Sequence, residues 1–143
     1  MKIVEETKEN ECLEALNLSK KYASRLVVDG VSLNVKKGEI VGLLGPNGSG
    51  KTTTFHIIGG FIKPTTGEVY LSGKRLNGLA VYQRARLGIV YLPQEPSVFR
   101  KLTVVENLLI ILEQLGLNYE ERERKAHSLL EEFGIDHLSK QRA

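Results

Sequence analysis

The chain has 143 residues, enough for one domain with a hydrophobic core. Apolar residues make up 41% and charged residues 26%, which is typical of a globular protein and excludes a disordered chain. The 20 Lys and Arg residues outnumber the 17 Asp and Glu residues only slightly, and the two signs are interspersed, so a basic nucleic-acid-binding tail is excluded. We expect neither a membrane span nor a secretory signal, and a single cysteine, Cys12, excludes an internal disulfide.

The first half of the sequence predicts three strands. Residues 1–10 are polar and charged, and we expect them to form a disordered extension before a domain that begins at residue 11. Residues 13–18 predict a strand with imperfect alternation, whereas residues 31–35 alternate cleanly as a half-buried strand. Residues 39–44 are apolar on both faces, which predicts a central strand that is buried.

Helices and short strands alternate in the next segment. Residues 53–61 predict a helix, and residues 68–71 predict a strand after turn-forming Pro and Gly residues. Residues 81–87 then predict a short helix, and residues 89–92 predict a strand that stops at Pro93.

Two capped helices are predicted near the end of the sequence. Thr103 and Glu106 have the spacing of a capping box, which predicts the start of a helix. The residues expected on its apolar face are Leu108, Ile111, Leu112 and Leu115. Asn118 can cap a second helix, which makes a helical hairpin with the charged run 120–125 on its solvated face. The residues that it is expected to bury are Ala126, Leu129, Leu130 and Phe133.

The pattern GxxxxGK[ST] between the predicted strand 39–44 and the helix after it predicts a phosphate-binding loop. Its glycines allow backbone N–H groups to point at phosphates, Lys51 can reach the outer phosphates, and the Thr52 hydroxyl can bind Mg²⁺. The predicted phosphate-binding residues are Gly45, Pro46, Asn47, Gly48, Ser49, Gly50, Lys51, Thr52 and Thr53. The loop alone is compatible with kinases, GTPases, helicases and transporters.

From about Leu13 to its last residue, the chain resembles the N-terminal part of an ATP-binding-cassette ATPase. The resemblance implies an α/β fold of the P-loop NTPase class that is incomplete, with a nucleotide-binding core over residues 11–96 and the start of a helical subdomain over residues 97–143. It also implies that Tyr22 stacks on adenine and that Gln94 joins the Mg²⁺ shell and senses the γ-phosphate. ATP, rather than GTP, is implied by the resemblance alone.

Within this family, residues 84–104 resemble the lipopolysaccharide-export ATPases most, and branched-chain amino-acid importers come second. The resemblance implies that Phe99 and Arg100 receive a short helix from a transmembrane subunit; the alternative is that Phe99 packs beneath its own domain. It further implies a homodimer when the protein is full length, a position on the cytoplasmic face of the inner membrane, and no nucleic-acid partner. A module that docks on a membrane partner without turning over nucleotide is the rival interpretation.

Three later motifs of the family do not occur in the 143 residues: the LSGGQ-type signature, the catalytic glutamate and the switch histidine. We therefore assign no catalytic residue to this chain. Unpaired apolar strand edges tend to aggregate, so we expect the chain to be part of a longer protein, with natural truncation as the alternative.

We predict that the isolated chain hydrolyses ATP at a negligible rate, because nothing in its sequence positions and activates the attacking water. A phosphate-release assay on a pure sample measures this rate. Steady Mg²⁺-dependent release of phosphate would contradict the prediction.

Overall fold

The computed structural model describes residues 12–143, so the extension predicted over residues 1–10 lies outside the described residues. The chain divides into two compact units, one that ends at Tyr91 and one that begins at Leu92. The division predicted between residues 96 and 97 stays a prediction. None of the described helices is long and apolar enough to cross a membrane.

The first unit contains an antiparallel sheet with the strand order β2-β1-β3-β4. Its strands are β1 (Cys12–Tyr22), β2 (Arg25–Lys36), β3 (Thr66–Leu71) and β4 (Lys74–Arg75). The predicted strands over residues 13–18, 31–35 and 68–71 are therefore confirmed, although β1 and β2 are longer than predicted.

A bulge in β1 explains its imperfect alternation. Ala15 pairs with Leu33 and Leu18 pairs with Val31, so β1 has one more residue than β2 between these pairs. Asn17, inside this step, has a φ of 49°, a left-handed conformation that Asn tolerates better than most residues. The bulge shifts the inward face by one residue, so Ala15 and Leu18 are both fully buried.

Two helices complete the first unit: α1 (Lys51–Gly59) and α2 (Val81–Arg86), where the sequence predicted them. Ile57 of α1 is fully buried and belongs to the core cluster of the sheet. The other members of the cluster are Ala15, Leu18, Val28, Ile58, Val69 and Leu76. Helix α1 ends at Gly60, whose φ of 88° lets its N–H group donate to the Ile57 carbonyl.

The strands predicted over residues 39–44 and 89–92 are wrong, because neither segment is assigned to a strand. Ile40 is 99% exposed, whereas residues 39–44 were predicted to be buried, and Val90 of the second segment is 87% exposed. An apolar sequence supplies the side chains of a strand, but a strand also needs hydrogen-bonded neighbours. Among residues 12–143, no strand pairs with either segment.

The second unit contains helices α3 (Val104–Leu112) and α4 (Tyr119–Glu132), which form the predicted hairpin. The predicted capping box at Thr103 and the predicted cap at Asn118 are confirmed, since Thr103 accepts from the Glu106 N–H and Asn118 accepts from the Glu121 N–H. Asn118 and Glu121 also form a capping box, which was not predicted.

The predicted apolar faces of α3 and α4 are only partly confirmed. Leu112, Ala126 and Leu130 are buried, but Ile111, Leu115 and Phe133 are exposed. Each helix packs against one partner helix, which covers a narrower stripe than its predicted apolar face. The apolar residues at the edges of that face therefore stay exposed. The charged run 120–125 is likewise not entirely solvated, because Arg122 packs beside Tyr119 and forms an ion pair with Glu113 at 3.2 Å.

The last residues of the chain close around the start of α3. The N–H groups of Val104 and Val105 donate to the carbonyls of Gln141 (2.9 Å) and Ser139 (3.0 Å). Two of the amide groups that a helix N-terminus leaves unsatisfied are thus bonded to the chain's own C-terminal segment.

We predict that the capping box makes the stability of the second unit depend on pH. The Glu106 carboxylate accepts from the N–H (2.7 Å) and hydroxyl (2.8 Å) of Thr103, and the N–H bond is the main reason that its pKa lies below the ordinary 4.5. A carboxyl whose pKa is lowered by folding stabilises the fold above its ordinary pKa and loses this contribution as the pH falls through the folded value. Urea unfolding should show the chain more stable than Glu106→Gln at neutral pH, with the difference vanishing well below pH 4.5.

The matched control is Glu131→Gln in α4, because the Glu131 side chain has no hydrogen bond to any described residue. A Glu106→Gln difference that does not change with pH would contradict the prediction.

Candidate nucleotide-binding site

The phosphate loop enters α1 through a glycine that no other residue can replace without strain. Gly50 has a φ of 90°, and a Cβ added there would lie 2.5 Å from the carbonyl oxygen of Val27 in β2. Gly48 also has a positive φ of 80°, but a Cβ there would meet no atom within 4 Å. Gly50 is therefore required both by its positive φ and by the nearby backbone of β2, whereas Gly48 is required by its positive φ alone.

The N-terminus of α1 is open. No side chain caps the helix, and the Thr54 N–H (2.8 Å) and hydroxyl (3.0 Å) both donate to the Gly50 carbonyl. The N–H groups of Lys51, Thr52 and Thr53 donate to no acceptor within the described part of the chain. Unbonded amides at the positive end of a helix dipole form an anion-binding site.

Lys51 folds over the same loop. Its ammonium donates to the carbonyls of Gly45 (2.6 Å) and Pro46 (2.8 Å), so a positive charge lies on the loop that leads to the open amides. Thr52 is exposed, and its hydroxyl has no hydrogen bond to another described residue. No group of three or more His, Cys, Asp or Glu residues in the described ranges could hold a metal ion. The residues present therefore fit a nucleotide whose own phosphates supply most Mg²⁺ ligands, with the Thr52 hydroxyl as a protein ligand.

Tyr22 lies at the end of β1, opposite Arg25 in the hairpin that joins β1 to β2. It is 45% exposed, and the Lys20 ammonium lies 5.1 Å from the centroid of its ring. Val27, which packs against Gly50, is two residues from Arg25, a span of about 7 Å along a strand. The hairpin thus leads from Tyr22 to the start of α1.

The three other predicted site residues lie in the second unit. Gln94 is exposed, and its part in the nucleotide site stays a prediction. Phe99 is 59% exposed, which argues against the alternative that it packs beneath its own domain. Asn107 of α3 fixes this loop, because its side chain accepts from the Phe99 N–H (2.8 Å) and donates to the Phe99 carbonyl (3.2 Å). Phe99 and the exposed Arg100 are therefore presented outward from an anchored turn.

Sequence reasoning missed Arg84 of α2. The residue is only 4% exposed, and its side chain forms four hydrogen bonds to backbone carbonyls. Burial lowers the pKa of its guanidinium below the ordinary value. Nothing in the sequence separates Arg84 from the exposed Arg86 two residues later, because burial is decided by the helix that packs against it.

A glycine-dependent loop, an open helix N-terminus and a lysine over the loop define a phosphate-loop nucleotide-binding protein. Residues 28–143 match the ABC transporter family, which is most of the chain, and the chain belongs to that family.

Curated relatives match over most of this chain. The lipopolysaccharide export system ATP-binding protein LptB of Haemophilus influenzae is 50% identical over 127 residues, 88% of this chain and 53% of the relative. The LptB of Escherichia coli strain K12 gives the same values. An uncharacterised ABC transporter ATP-binding protein of Rhizobium meliloti is 51% identical over 128 residues, 90% of this chain and 47% of the relative. The chain spans about half the length of these relatives.

Solved structures show the same fold. The ADP conformation of MJ1267, an ATP-binding cassette of an ABC transporter, superposes with a TM-score of 0.79 at 32% identity, over 93% of this chain and 57% of MJ1267. A dimeric post-hydrolysis state of the cassette MJ0796 with ADP and Pi gives a TM-score of 0.72 at 30% identity, over 91% of this chain and 61% of that one. The described residues are therefore part of an ABC ATPase fold of the P-loop NTPase class, as the sequence predicted.

We predict that Gly50→Ala destabilises the first unit more than Gly48→Ala. Both substitutions force alanine into a positive φ, at a cost of about 1–2 kcal/mol. Only Gly50→Ala also drives a Cβ against the Val27 carbonyl, which adds about 1–3 kcal/mol for overpacking.

Urea unfolding of both variants beside the unchanged chain measures the two costs. Equal losses in the free energy of unfolding would mean that the contact between Gly50 and β2 does not constrain the loop.

Proposed function

We propose that this chain is the ATP-binding part of an ABC transporter ATPase and that it binds Mg²⁺-ATP at the phosphate loop. The observation that carries the proposal is the open N-terminus of α1, where three consecutive N–H groups have no described acceptor and the Lys51 ammonium lies on the loop that leads to them. The loop from Gly45 to Thr53 holds the phosphates, and Thr52 and Gln94 bind the Mg²⁺ ion. A bound triphosphate would replace the Gly45 and Pro46 carbonyls as the partner of Lys51.

Tyr22 stacks on the base in this proposal. Its exposed ring, its place at the end of β1 and the contact of the following strand with Gly50 support the assignment. Stacking on an aromatic ring contributes roughly 1–3 kcal/mol per base but distinguishes bases poorly. The choice of ATP over GTP therefore rests on the family.

The partner surface in this proposal is formed by Phe99 and Arg100. An exposed aromatic side chain beside an arginine, on a turn held by Asn107, suits a short helix of a transmembrane subunit that carries carboxylates. The ATPase then works on the cytoplasmic face of the inner membrane and pairs with a second ATPase subunit when full length. The dimeric structure of the related cassette MJ0796 supports this pairing.

We further propose that ATP binding and hydrolysis in the whole protein drive lipopolysaccharide export. The LptB proteins at 50% identity support this cargo. The uncharacterised relative from Rhizobium meliloti is equally similar and its name gives no cargo, so the identities alone do not select one. Branched-chain amino-acid import is the alternative cargo, which rests on the resemblance of residues 84–104 to those importers. Genes beside this one would discriminate, since export and import operons encode different partners.

A module that docks through Phe99 and Arg100 without using nucleotide is the rival from another class. The affinity for a transmembrane partner, measured with and without Mg²⁺-ATP, separates the two. An affinity that depends on ATP supports the ATPase proposal, and an affinity indifferent to ATP supports the rival.

We predict that Lys51→Ala weakens ATP binding roughly 100-fold, because it removes a charged donor from the phosphates. The free energy of unfolding should change by less than about 1 kcal/mol, since the side chain contacts only loop carbonyls. Titration with a fluorescent ATP analogue measures the affinity. Lys74→Ala, an exposed lysine of β4 in the same unit, is the matched control. Unchanged affinity in Lys51→Ala would refute the phosphate-loop assignment.

A further inference from the structure

Arg84 is a buried cation that the proposed nucleotide site does not use. Its guanidinium donates to the carbonyls of Ile57 (2.9 Å) and Ile58 (2.6 Å) in the last turn of α1. It also donates to the carbonyls of Leu76 (2.9 Å) and Leu79 (3.3 Å), which precede α2. No described carboxylate lies within ion-pair distance of it. The side chain therefore joins the end of α1 to the segment before α2 through backbone groups alone.

These hydrogen bonds fix the orientation of the end of α1 relative to the segment before α2, which packing alone would not do. An apolar side chain of similar length would occupy the site without the cost of desolvating a charge. The planar fork of arginine instead holds several acceptors at set angles, and its charge complements the negative end of the α1 dipole. A Cβ at Gly60 would lie 2.8 Å from the Arg84 Nε, so the fork packs directly on the turn that ends the helix.

The other end of α1 carries the phosphate-binding groups. The helix has nine residues, about 14 Å or two and a half turns, so continuous backbone hydrogen bonds link its last turn to its first. Its first turn is held at Gly50 by the contact with Val27, and its last turn is held by Arg84. A shift at the last turn must therefore reorient the amides of Lys51 and Thr52.

We propose that Arg84 is a positioning residue of the nucleotide site, which acts through α1 on the groups that bind the triphosphate. The inference rests on the proposed function, because it assigns Arg84 to the same site. The effect falls on the phosphates and not on the base, since Tyr22 lies at the end of β1 and not on α1.

Arg84→Met tests this proposal, because methionine keeps an unbranched stem and removes all four hydrogen bonds. Competition against a fluorescent ATP analogue gives the affinities for Mg²⁺-ATP and for AMP in the whole 143-residue chain. We expect ATP to bind about tenfold more weakly, the scale of coupling measured along packed networks, while AMP, which has one phosphate in place of three, loses much less affinity. Arg84→Lys, which keeps the charge without the fork, should fall between the two.

Arg86→Met is the matched control, since Arg86 lies in the same helix, is exposed, and lies 5.6 Å from the Tyr82 ring without a hydrogen bond from its side chain to any of residues 12–143. All affinities are measured where urea curves show each variant folded, so that loss of fold cannot imitate loss of affinity. A merely structural role would weaken ATP and AMP equally or not at all, and either result overturns the proposal.

If the variants fail to fold, hydrogen exchange in the unchanged chain tests whether Arg84 is coupled to the nucleotide site. The Arg84 carbonyl accepts from the N–H groups of Leu87 (3.0 Å) and Ile89 (3.1 Å), which report on its position. ATP should slow exchange at these two amides together with those of α1, and AMP, with a single phosphate, should slow it much less. Protection confined to the phosphate loop and the first turn of α1 would overturn the proposal. Failure of the unchanged chain to bind ATP would instead refute the proposed function itself.

Discussion

A side chain at position 50 would place its Cβ 2.5 Å from the carbonyl oxygen of Val27, and the phosphate loop is built around this contact. Because only glycine fits, the start of α1 can approach the backbone of β2 directly. The approach brings the open amides of Lys51 and Thr52 to the side of the sheet, near the hairpin that carries Tyr22. In the proposed function, this one backbone contact brings the phosphate loop near the hairpin whose Tyr22 would stack on the base.

Backbone carbonyls also fix the other end of α1, where the Arg84 guanidinium donates to Ile57 and Ile58. Backbone carbonyls thus hold both ends of the helix. Two particular residues make these contacts possible: Gly50, which has no side chain, and Arg84, which supplies the guanidinium. Between them, Ile57 is fully buried in the core cluster and resists sliding of the helix along the sheet. The conformation of the phosphate loop therefore depends on contacts that are distributed over the first unit.

Features governed by neighbours in sequence were predictable, and those governed by distant partners were not. The caps at Thr103 and Asn118 depend on residues three positions away, and both form as predicted. The glycine-rich loop is likewise a local pattern, and helix α1 follows it where the sequence predicted a helix. The strands predicted at residues 39–44 and 89–92 needed partners elsewhere, and no described strand supplies them. Burial of Arg84 likewise depends on the end of α1, about 26 residues earlier in the chain.

The unpaired segment 39–44 means that the phosphate loop is constrained mainly from its helix side. Val41 and Leu43 line an apolar cavity of about 230 Å³ with Phe55 and Ile58 of α1, so an unfilled space, and no described hydrogen-bonded ladder, lies between this segment and the helix. Side chains around a cavity lack contacts on the open side, so they resist displacement less than hydrogen bonds of fixed direction do. The orientation of the phosphate-binding groups must then come from Gly50, the Thr54 bonds to the Gly50 carbonyl, and Arg84. A ligand that binds only this loop conformation stabilises it by the free energy of binding. A bound nucleotide and the contacts of α1 would therefore stabilise the same conformation.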